Sequence, residues 1–227
     1  MGSEKRVVIL GGHGKVALLA APRLVDAGFS VDAVIRNPEH SSDVAETGGN
    51  PVVLDMEQAS TEEFARLFEG AYAVVFSAGA GGGNPERTNA VDYEAASRAI
   101  DAAGEAGVNK FVMVSYATVN ADLDRVDPSD SFYPYVRAKH DADAHLRASG
   151  LDYTILGPGM LTLEPATEKV TIADAAGKVD GAWPTQNNAT SRANVAATIA
   201  YVIANGAATR QTVNFYDGDT PLAAALS

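Results

Sequence analysis

Three small residues, Gly11, Gly14 and Ala17, are spaced G-x-x-G-x-x-A directly after the apolar run Val7–Leu10. Glycine at the first position permits a tight turn, and glycine at the second lets the backbone approach a pyrophosphate. A small third residue lets the following helix pack closely on the sheet, and the free amides at the start of that helix would bind the anion. The turn therefore predicts a dinucleotide-binding site. Its candidate cofactor-binding residues are Gly11, Gly12, His13, Gly14, Lys15 and Val16.

The residue at the end of the second predicted strand indicates which dinucleotide binds. A carboxylate there would accept hydrogen bonds from the ribose hydroxyls of NAD, whereas an arginine would contact the 2′-phosphate of NADP. The strand Ser30–Ile35 is followed by Arg36. Asp32 is the alternative ribose ligand, since it lies about 20 residues past the turn, but it falls near the entry of the strand. The pattern favours NADP(H) over NAD(H).

The chain alternates short β-branched runs with longer, alanine-rich amphipathic stretches, a pattern typical of βαβ units around a parallel sheet. The predicted strands are Arg6–Leu10, Ser30–Ile35, Val52–Leu54, Ala73–Phe76, Lys110–Val114, Tyr153–Leu156 and Thr212–Phe215. The predicted helices are Lys15–Ala27, Thr61–Phe68, Pro85–Ala106, Phe132–Ala148 and Ala193–Ala204, with a short last helix opened by Asp219–Pro221. The predicted fold class is α/β, with a doubly wound, mostly parallel sheet of about seven strands.

Two further groups of candidate cofactor-binding residues follow predicted strands, at the edge of the sheet where ligands of such folds bind. Asp55-Met56 follows the third strand and is expected to flank the adenine. Ser77-Ala78-Gly79 follows the fourth strand and is expected to line the pyrophosphate and ribose. The glycine run Gly81–Gly83 predicts either a loop over the cofactor or a spacer before the next helix.

The alternation of strands and helices breaks between Asp174 and Asn188, where turn-like clusters surround the single tryptophan. We predict one domain over residues 1–227, with residues 157–190 and 217–227 elaborating a C-terminal lobe. The substrate pocket is expected to come from this lobe, from Pro165–Asn188. The expected partner is a small-molecule substrate, and the expected assembly is a monomer or a small homo-oligomer.

The composition excludes several classes of function. The chain has 17 Lys and Arg against 29 Asp and Glu, a net charge of −12, whereas nucleic-acid and anionic membrane surfaces need excess positive charge. With no cysteine, the chain has no disulfide, thiolate zinc site, iron–sulfur cluster or cysteine nucleophile. His140 and His145 would lie about 140° apart around a helix, so the segment between them predicts a solvated face and no metal site. No segment is typical of a signal peptide or a spanning helix, which predicts a cytoplasmic protein.

Several segments, taken with the glycine turn and Arg36, resemble the short-chain dehydrogenase/reductase superfamily over nearly the whole chain. The resemblance is to its small atypical branch of NAD(P)-binding proteins, the NAD-dependent epimerase/dehydratase-like or NmrA-like proteins. The segments that carry it are Ser77-Ala78-Gly79, Val91-Asp92-Tyr93, Tyr135–Lys139, Leu151–Gly159, Ser191–Val195 and Asp217–Pro221. It implies a Rossmann-type sheet with the strand order 3-2-1-4-5-6-7. The chain departs from the family pattern at Gly157, where an arginine usually precedes Pro-Gly.

The resemblance also implies a catalytic group of serine, tyrosine and lysine with an upstream acid, which here are Ser115, Tyr135, Lys139 and Asp92. Tyr135 would be the acid/base, with its pKa lowered by the ammonium of Lys139, which would also donate to the nicotinamide ribose. Ser115 would hydrogen-bond the substrate carbonyl oxygen, and Asp92 would orient Lys139. The spacing of four fits these roles, because it places Tyr135 and Lys139 on one helix face.

These residues predict an NADP(H)-dependent oxidoreductase that acts on a small carbonyl, quinone-like or related substrate. Pro158 and Gly159 complete the expected cofactor-binding residues. Two alternatives stay open. One is a redox-sensing regulator that binds NADP(H) without turnover, and the other is a flavin or tetrapyrrole reductase that needs no tyrosine. The presence of both Tyr135 and Lys139 favours chemistry over sensing.

Overall fold

The computed structural model describes residues 5–81, 84–108 and 110–227. Its strands are β1 (Lys5–Leu10), β2 (Phe29–Ile35), β3 (Asn50–Val53), β4 (Ala73–Phe76), β5 (Lys110–Val114), β6 (Asp152–Pro158), β7 (Met160–Thr162), β8 (Lys169–Ala173), β9 (Ala189–Ser191), β10 (Gln211–Asp217) and β11 (Thr220–Pro221). Its α-helices are α1 (Lys15–Asp26), α2 (Ser41–Glu46), α3 (Thr61–Phe68), α4 (Pro85–Thr88), α5 (Ala96–Glu105), α6 (Val119–Arg125), α7 (Tyr133–Ala148), α8 (Arg192–Asn205) and α9 (Leu222–Ala225). Gly82 and Gly83, in the glycine run predicted as a loop or spacer, lie outside the described residues.

Within the described residues, nine strands form one sheet in the order β11-β8-β10-β6-β5-β4-β1-β2-β3. The seven strands from β10 to β3 are parallel and correspond to the seven predicted strands, in the predicted order 3-2-1-4-5-6-7. The strand count exceeds the prediction because β8 and β11 add an antiparallel edge beside β10. Both are short, and only one residue of β8 and none of β11 is buried. β7 and β9 form a separate two-stranded sheet.

The sheet has an apolar core on each face, because successive side chains of a strand point to opposite faces. In β1, Val7 and Ile9 belong to the core beneath α1 and α8, whereas Val8 and Leu10 belong to the core beneath α3, α5 and α7. All four side chains are fully buried. Burying one such side chain stabilises the fold by about 1.5–3 kcal/mol. Helices on both faces make the sheet doubly wound, as the sequence predicts.

The predicted helix Pro85–Ala106 contains one wider turn. The helix is capped at its start by Asn84, whose side chain accepts a hydrogen bond from the Arg87 amide at 3.0 Å. Between α4 and α5 the segment Asn89–Ala95 is π-helical. Such turns occur frequently at functional sites, and this one carries the buried Asp92. Its presence escapes sequence analysis, because one extra residue in a turn leaves the apolar spacing of the flanking helices intact.

The end of β10 ties the C-terminal third to the sheet. Asp217 accepts hydrogen bonds from the Asn194 side chain at 2.6 Å and from the Ser191 amide at 2.9 Å. Ser191 in turn caps α8 by accepting the Asn194 amide at 2.9 Å. Among the helices of the described residues, none is long and apolar enough to cross a membrane.

Candidate active site

The glycine turn joins β1 to α1 in a conformation that requires its glycines. Gly11 has a φ of +83°, and a Cβ there would lie 2.8 Å from the Ala78 Cα atom. A Cβ on Gly12 would lie 2.7 Å from the carbonyl carbon of Ala33. Gly14 is the N-cap of α1 and makes no side-chain cap, which leaves the first amides of the helix without a side-chain acceptor. The turn therefore offers an anion both free amides and close backbone approach.

The turn opens into a cavity of about 380 Å³, which we call the first cavity. The predicted cofactor-binding residues on its walls are Gly11, His13, Gly14, Arg36, Asp55, Met56, Ser77, Ala78 and Gly79. His13 stacks on His40 with a centroid separation of 3.6 Å, and its Nε2 atom lies 2.8 Å from Asp43. Of the remaining turn residues, Lys15 is exposed at the start of α1 and Gly12 is buried beneath the turn.

Arg36 extends from the end of β2 along the wall of the first cavity. Its Nη1 atom lies 2.9 Å from Oε1 of Glu57, and Nε of Arg87 lies 2.9 Å from the same oxygen. Neither Glu57 nor Arg87 is singled out by the sequence. Asp32, the alternative ribose ligand, accepts a hydrogen bond from Arg6 at 2.7 Å and does not line this cavity. Of Arg36 and Asp32, only Arg36 lines the first cavity.

A second cavity, of about 660 Å³, continues from the first and shares the Ser77–Gly79 segment with it. Val16 lies on its wall, as do Asp92, Ser115, Tyr135 and Lys139. The last four come from the π-turn, the end of β5 and α7. The structure therefore brings to one wall all four residues that the family resemblance implies as catalytic.

Lys139 is buried beside this cavity, where it has one hydrogen-bond acceptor and forms an ion pair with one carboxylate. Its Nζ atom donates to the Val114 carbonyl at 2.7 Å and lies 3.9 Å from Oδ1 of Asp92. The other carboxylate oxygen of Asp92 accepts the Ala80 amide at 3.0 Å. Burial raises the pKa of Asp92, and the Lys139 ammonium opposes that shift. The ammonium is therefore anchored between β5 and the π-turn.

Ser115 contacts a buried carboxylate that sequence reasoning missed. Its Oγ atom lies 2.6 Å from Oδ2 of Asp143, a residue with no exposed surface. Burial raises the pKa of Asp143, and the Lys139 ammonium opposes the shift. The interpretation of His140–His145 as a solvated face is therefore wrong at Asp143. The signal that could have found it is its position four residues after Lys139, on the helix face that carries Tyr135.

Tyr135 lies on the wall between the second cavity and a third one of about 520 Å³. Both cavities are lined by Ser115, Phe132, Tyr135 and Leu161. The ring of Tyr135 stacks on that of Tyr116, with the centroids 5.6 Å apart. A molecule in either cavity therefore meets the side chains of Ser115 and Tyr135.

The pKa of Tyr135 moves opposite to the sequence-based expectation. Burial raises this pKa above its ordinary value, and the carboxylates of Asp92 and Asp143 raise it further. The expected lowering by Lys139 is wrong for this structure, because burial and the two carboxylates set the direction of the shift, and the ammonium contacts Val114 and Asp92. The phenol is therefore protonated at neutral pH.

The third cavity is lined by several aromatic side chains. Its aromatic lining consists of Tyr116, Phe132, Tyr135, Trp183 and Tyr216. Pro158 and Gly159, expected beside the cofactor, line this cavity and not the second. The Arg125 guanidinium lies 4.1 Å, and the Lys178 ammonium 4.4 Å, from the centroid of the Trp183 ring. From the predicted segment Pro165–Asn188, Trp183, Pro184 and Asn188 line this cavity.

The departure from Arg-Pro-Gly at Gly157 has a packing reason. A Cβ at this position would collide with the Asn214 side chain of β10 and lie 3.3 Å from the Cα atom of Ala117. Asn214 is buried and donates to the Asp174 carbonyl at 2.9 Å. An arginine at position 157 is incompatible with this packing.

Comparison with known proteins identifies the family. A family model described as NAD(P)H-binding matches residues 11–206. The chain belongs to this NAD(P)H-binding family. A Bacillus subtilis relative, named the uncharacterized sugar epimerase YhfK, is 33% identical over 97% of this chain and 98% of its own length.

Two solved structures are similar to this member of the NAD(P)H-binding family over nearly its whole length. A Bacillus halodurans protein named for an NAD-dependent epimerase/dehydratase has a TM-score of 0.83 and 32% identity, covering 96% of this chain and 97% of that one. The oxidoreductase ylbE of Lactococcus lactis has a TM-score of 0.80 and 25% identity, covering 97% and 94%. The comparisons confirm the resemblance to atypical short-chain dehydrogenases/reductases. They also agree with the predicted class of enzyme, an NAD(P)-dependent oxidoreductase.

The residues of this NAD(P)H-binding protein fit a dinucleotide. The cradle at Gly11 is so close to Ala78 that a Cβ would fill it, and the first amides of α1 have no side-chain acceptor. The first and second cavities form one groove along the carboxyl ends of the strands, where nucleotides of such folds bind.

Proposed function

We propose that the chain is an NADP(H)-dependent oxidoreductase that reduces a small carbonyl or quinone-like substrate. The observation that carries the proposal is the position of Ser115 and Tyr135 on the wall shared by the second and third cavities. With the cofactor along the glycine turn and second cavity, a substrate oxygen in the aromatic cavity can reach both side chains.

The proposal gives each part of the groove a role in binding the cofactor. The glycine turn and the α1 amides would bind the pyrophosphate, and Arg36 would bind the 2′-phosphate. Asp55 and Met56 would flank the adenine, and Lys139 would donate to the nicotinamide ribose. When bound, the cofactor supplies a hydride to the substrate carbon.

Tyr135 would supply the proton that the reduced oxygen needs. Its raised pKa keeps the phenol protonated at neutral pH, so it is a donor over the physiological range. The same shift disfavours the phenolate, the base that oxidation of an alcohol would need.

Ser115 would act together with Asp143. When Asp143 is ionised, the Ser115 hydroxyl donates to it. Burial raises the pKa of Asp143, and whenever the group is protonated the carboxylic acid donates to the serine oxygen. The hydroxyl hydrogen of Ser115 is then free to stabilise negative charge on the substrate oxygen.

The lining of the third cavity favours a flat, mostly apolar substrate. Aromatic side chains line it from several directions, and such walls stack on conjugated rings. Its volume of about 520 Å³ is that of a small-molecule site. A quinone or an aromatic aldehyde or ketone matches this lining.

The test is oxidation of NADPH by the full chain across aldehydes, ketones, quinones and flavins. For any accepted carbonyl, Tyr135→Phe is expected to lower turnover about 10²–10⁴-fold, the usual contribution of a positioned general acid, with NADPH affinity nearly unchanged. Tyr133→Phe is the matched control, because Tyr133 lies on the same helix and lines neither cavity. It is expected to keep the parent rate.

Two results would contradict the proposal. Turnover of Tyr135→Phe at the parent rate would favour a flavin or tetrapyrrole reductase that does not use the tyrosine. Tight NADPH binding with no turnover across the panel would favour a redox-sensing regulator. The regulator hypothesis is supported by Lys139, because its ammonium is held by the Val114 carbonyl and the Asp92 carboxylate rather than by Tyr135.

A further inference from the structure

Glu57, Arg36 and Arg87 form a charged cluster on the wall of the first cavity. A single oxygen of Glu57, Oε1, accepts hydrogen bonds from Nη1 of Arg36 and Nε of Arg87, both at 2.9 Å. Two guanidinium groups converging on one anionic oxygen is the arrangement that proteins use for phosphate. The carboxylate of Glu57 therefore occupies the place of a phosphate oxygen.

Two of the three members are fixed by backbone contacts. Arg98 of α5 donates to three backbone carbonyls of the loop after β3, including that of Glu57. Arg87 donates Nη1 to the Ala80 carbonyl at 3.1 Å. The Arg36 side chain is 56% exposed, against 40% for Arg87 and 22% for Glu57. Arg87 therefore faces the cavity from a position fixed by the backbone, and the more exposed Arg36 reaches the same oxygen of Glu57.

We propose that Arg87 is a second ligand of the 2′-phosphate of NADP(H), beside Arg36, and that Glu57 is an internal competitor for this phosphate. The inference rests on the proposed use of NADP(H). A ribose phosphate offers the same type of acceptor oxygen as the carboxylate and carries more negative charge, so it can replace Glu57 between the guanidinium groups. NADPH must separate Glu57 from both arginines, whereas NADH leaves the cluster intact. Glu57 therefore lowers the discrimination between the two cofactors.

The test measures dissociation constants of NADPH and NADH by calorimetry for the parent chain and Glu57→Gln. The amide keeps the size and one acceptor oxygen while removing the charge. NADPH is expected to bind about three- to tenfold more tightly to the variant, because two partly exposed ion pairs no longer have to be broken. NADH affinity is expected to stay the same. Glu46→Gln, which removes an exposed acid outside the cavity, is the matched control.

Arg87→Gln tests the second ligand. It is expected to weaken NADPH binding about tenfold and to leave NADH binding unchanged, as loss of one charge-assisted contact predicts. Competition by 2′,5′-ADP and by 5′-AMP isolates the phosphate, and only 2′,5′-ADP is expected to follow the NADPH pattern. Equal weakening of NADPH and NADH by Arg87→Gln would overturn its role as a phosphate ligand.

The remaining outcomes separate this inference from the proposed cofactor preference. The parent chain could prefer NADPH while Glu57→Gln shows the same ratio of NADPH to NADH affinity, or binds NADPH more weakly. That result would overturn the competitor role of Glu57 alone. A parent chain with equal affinities and a Glu57→Gln variant that prefers NADPH would support the competitor and contradict the preference. Equal affinities in both proteins would contradict both.

Discussion

Asp143 combines complete burial with an ionisable group. It has no exposed surface, and its Oδ1 atom has no hydrogen-bond partner among the described residues. Its charge is one of the causes that raise the pKa of Tyr135. The side chain therefore influences the proposed proton donor without lining the cavities that the substrate and cofactor would fill.

The variant Asp143→Asn is expected to lower the pKa of Tyr135. The amide keeps the shape and can still accept the Ser115 hydrogen bond, but it cannot ionise, so it removes the negative charge with which the ionised carboxylate disfavours the phenolate. A donor must be protonated, so the loss of turnover at high pH should begin at a lower pH in the variant. The measurement is the pH profile of NADPH oxidation. Asp141→Asn, at a partly exposed position two residues earlier, is the control. Identical pH profiles for Asp143→Asn and the parent would contradict the assignment of Asp143 as a group that raises the pKa of Tyr135.

Residues with a local signal could be found from the sequence, and residues defined by long-range contact could not. Tyr135 and Lys139 are marked by their spacing. Glu57 and Arg87 are not, because their contact joins residues 30 positions apart. The direction of the Tyr135 pKa shift also escaped sequence analysis, since it depends on burial and on carboxylates from two different elements.

At the level of the elements, glycine stabilises the turn after β1 but destabilises a helix. Gly11→Ala is expected to lower the free energy of unfolding by about 2–4 kcal/mol, because it adds left-handed strain and a steric clash with Ala78. Gly104→Ala, in the exposed last turn of α5 where nothing lies within 4 Å of a Cβ, is expected to raise it by about 0.5–1 kcal/mol. Urea denaturation followed by circular dichroism measures both. Equal effects of the two variants would mean that the turn tolerates a side chain.

The strands of the parallel sheet could be predicted because each buried strand is a continuous apolar run between turns. The short elements α2, α6, β7 and β9 were missed, since each has at most seven residues, no more than two of them buried, and depends on tertiary contacts. The helical run from α4 to α5 was predicted as regular. Its π-turn, which carries Asp92, is defined by hydrogen bonding rather than by residue type.

For the molecule as a whole, we propose that residues 1–227 unfold as one domain with the lobe of residues 157–190 and 217–227 attached. The contacts of Asp217 with Ser191 and Asn194 join this lobe to the sheet and α8. Trp183 is the only tryptophan and reports on the lobe, whereas far-ultraviolet circular dichroism reports mainly on the sheet and helices. Urea transitions followed by the two signals are expected to coincide. An earlier transition in tryptophan fluorescence would show that the lobe unfolds independently.

The two outer strands of the nine-stranded sheet each contain a proline. Pro51 lies in β3 and Pro221 in β11, at the opposite ends of the strand order. Proline has no amide hydrogen, so a neighbouring chain cannot continue the ladder along either margin without a missing bond. A net charge of −12 adds repulsion between copies. Fibrillar stacking of folded molecules through their sheet margins is therefore disfavoured, and the chain should stay dispersed at high concentration.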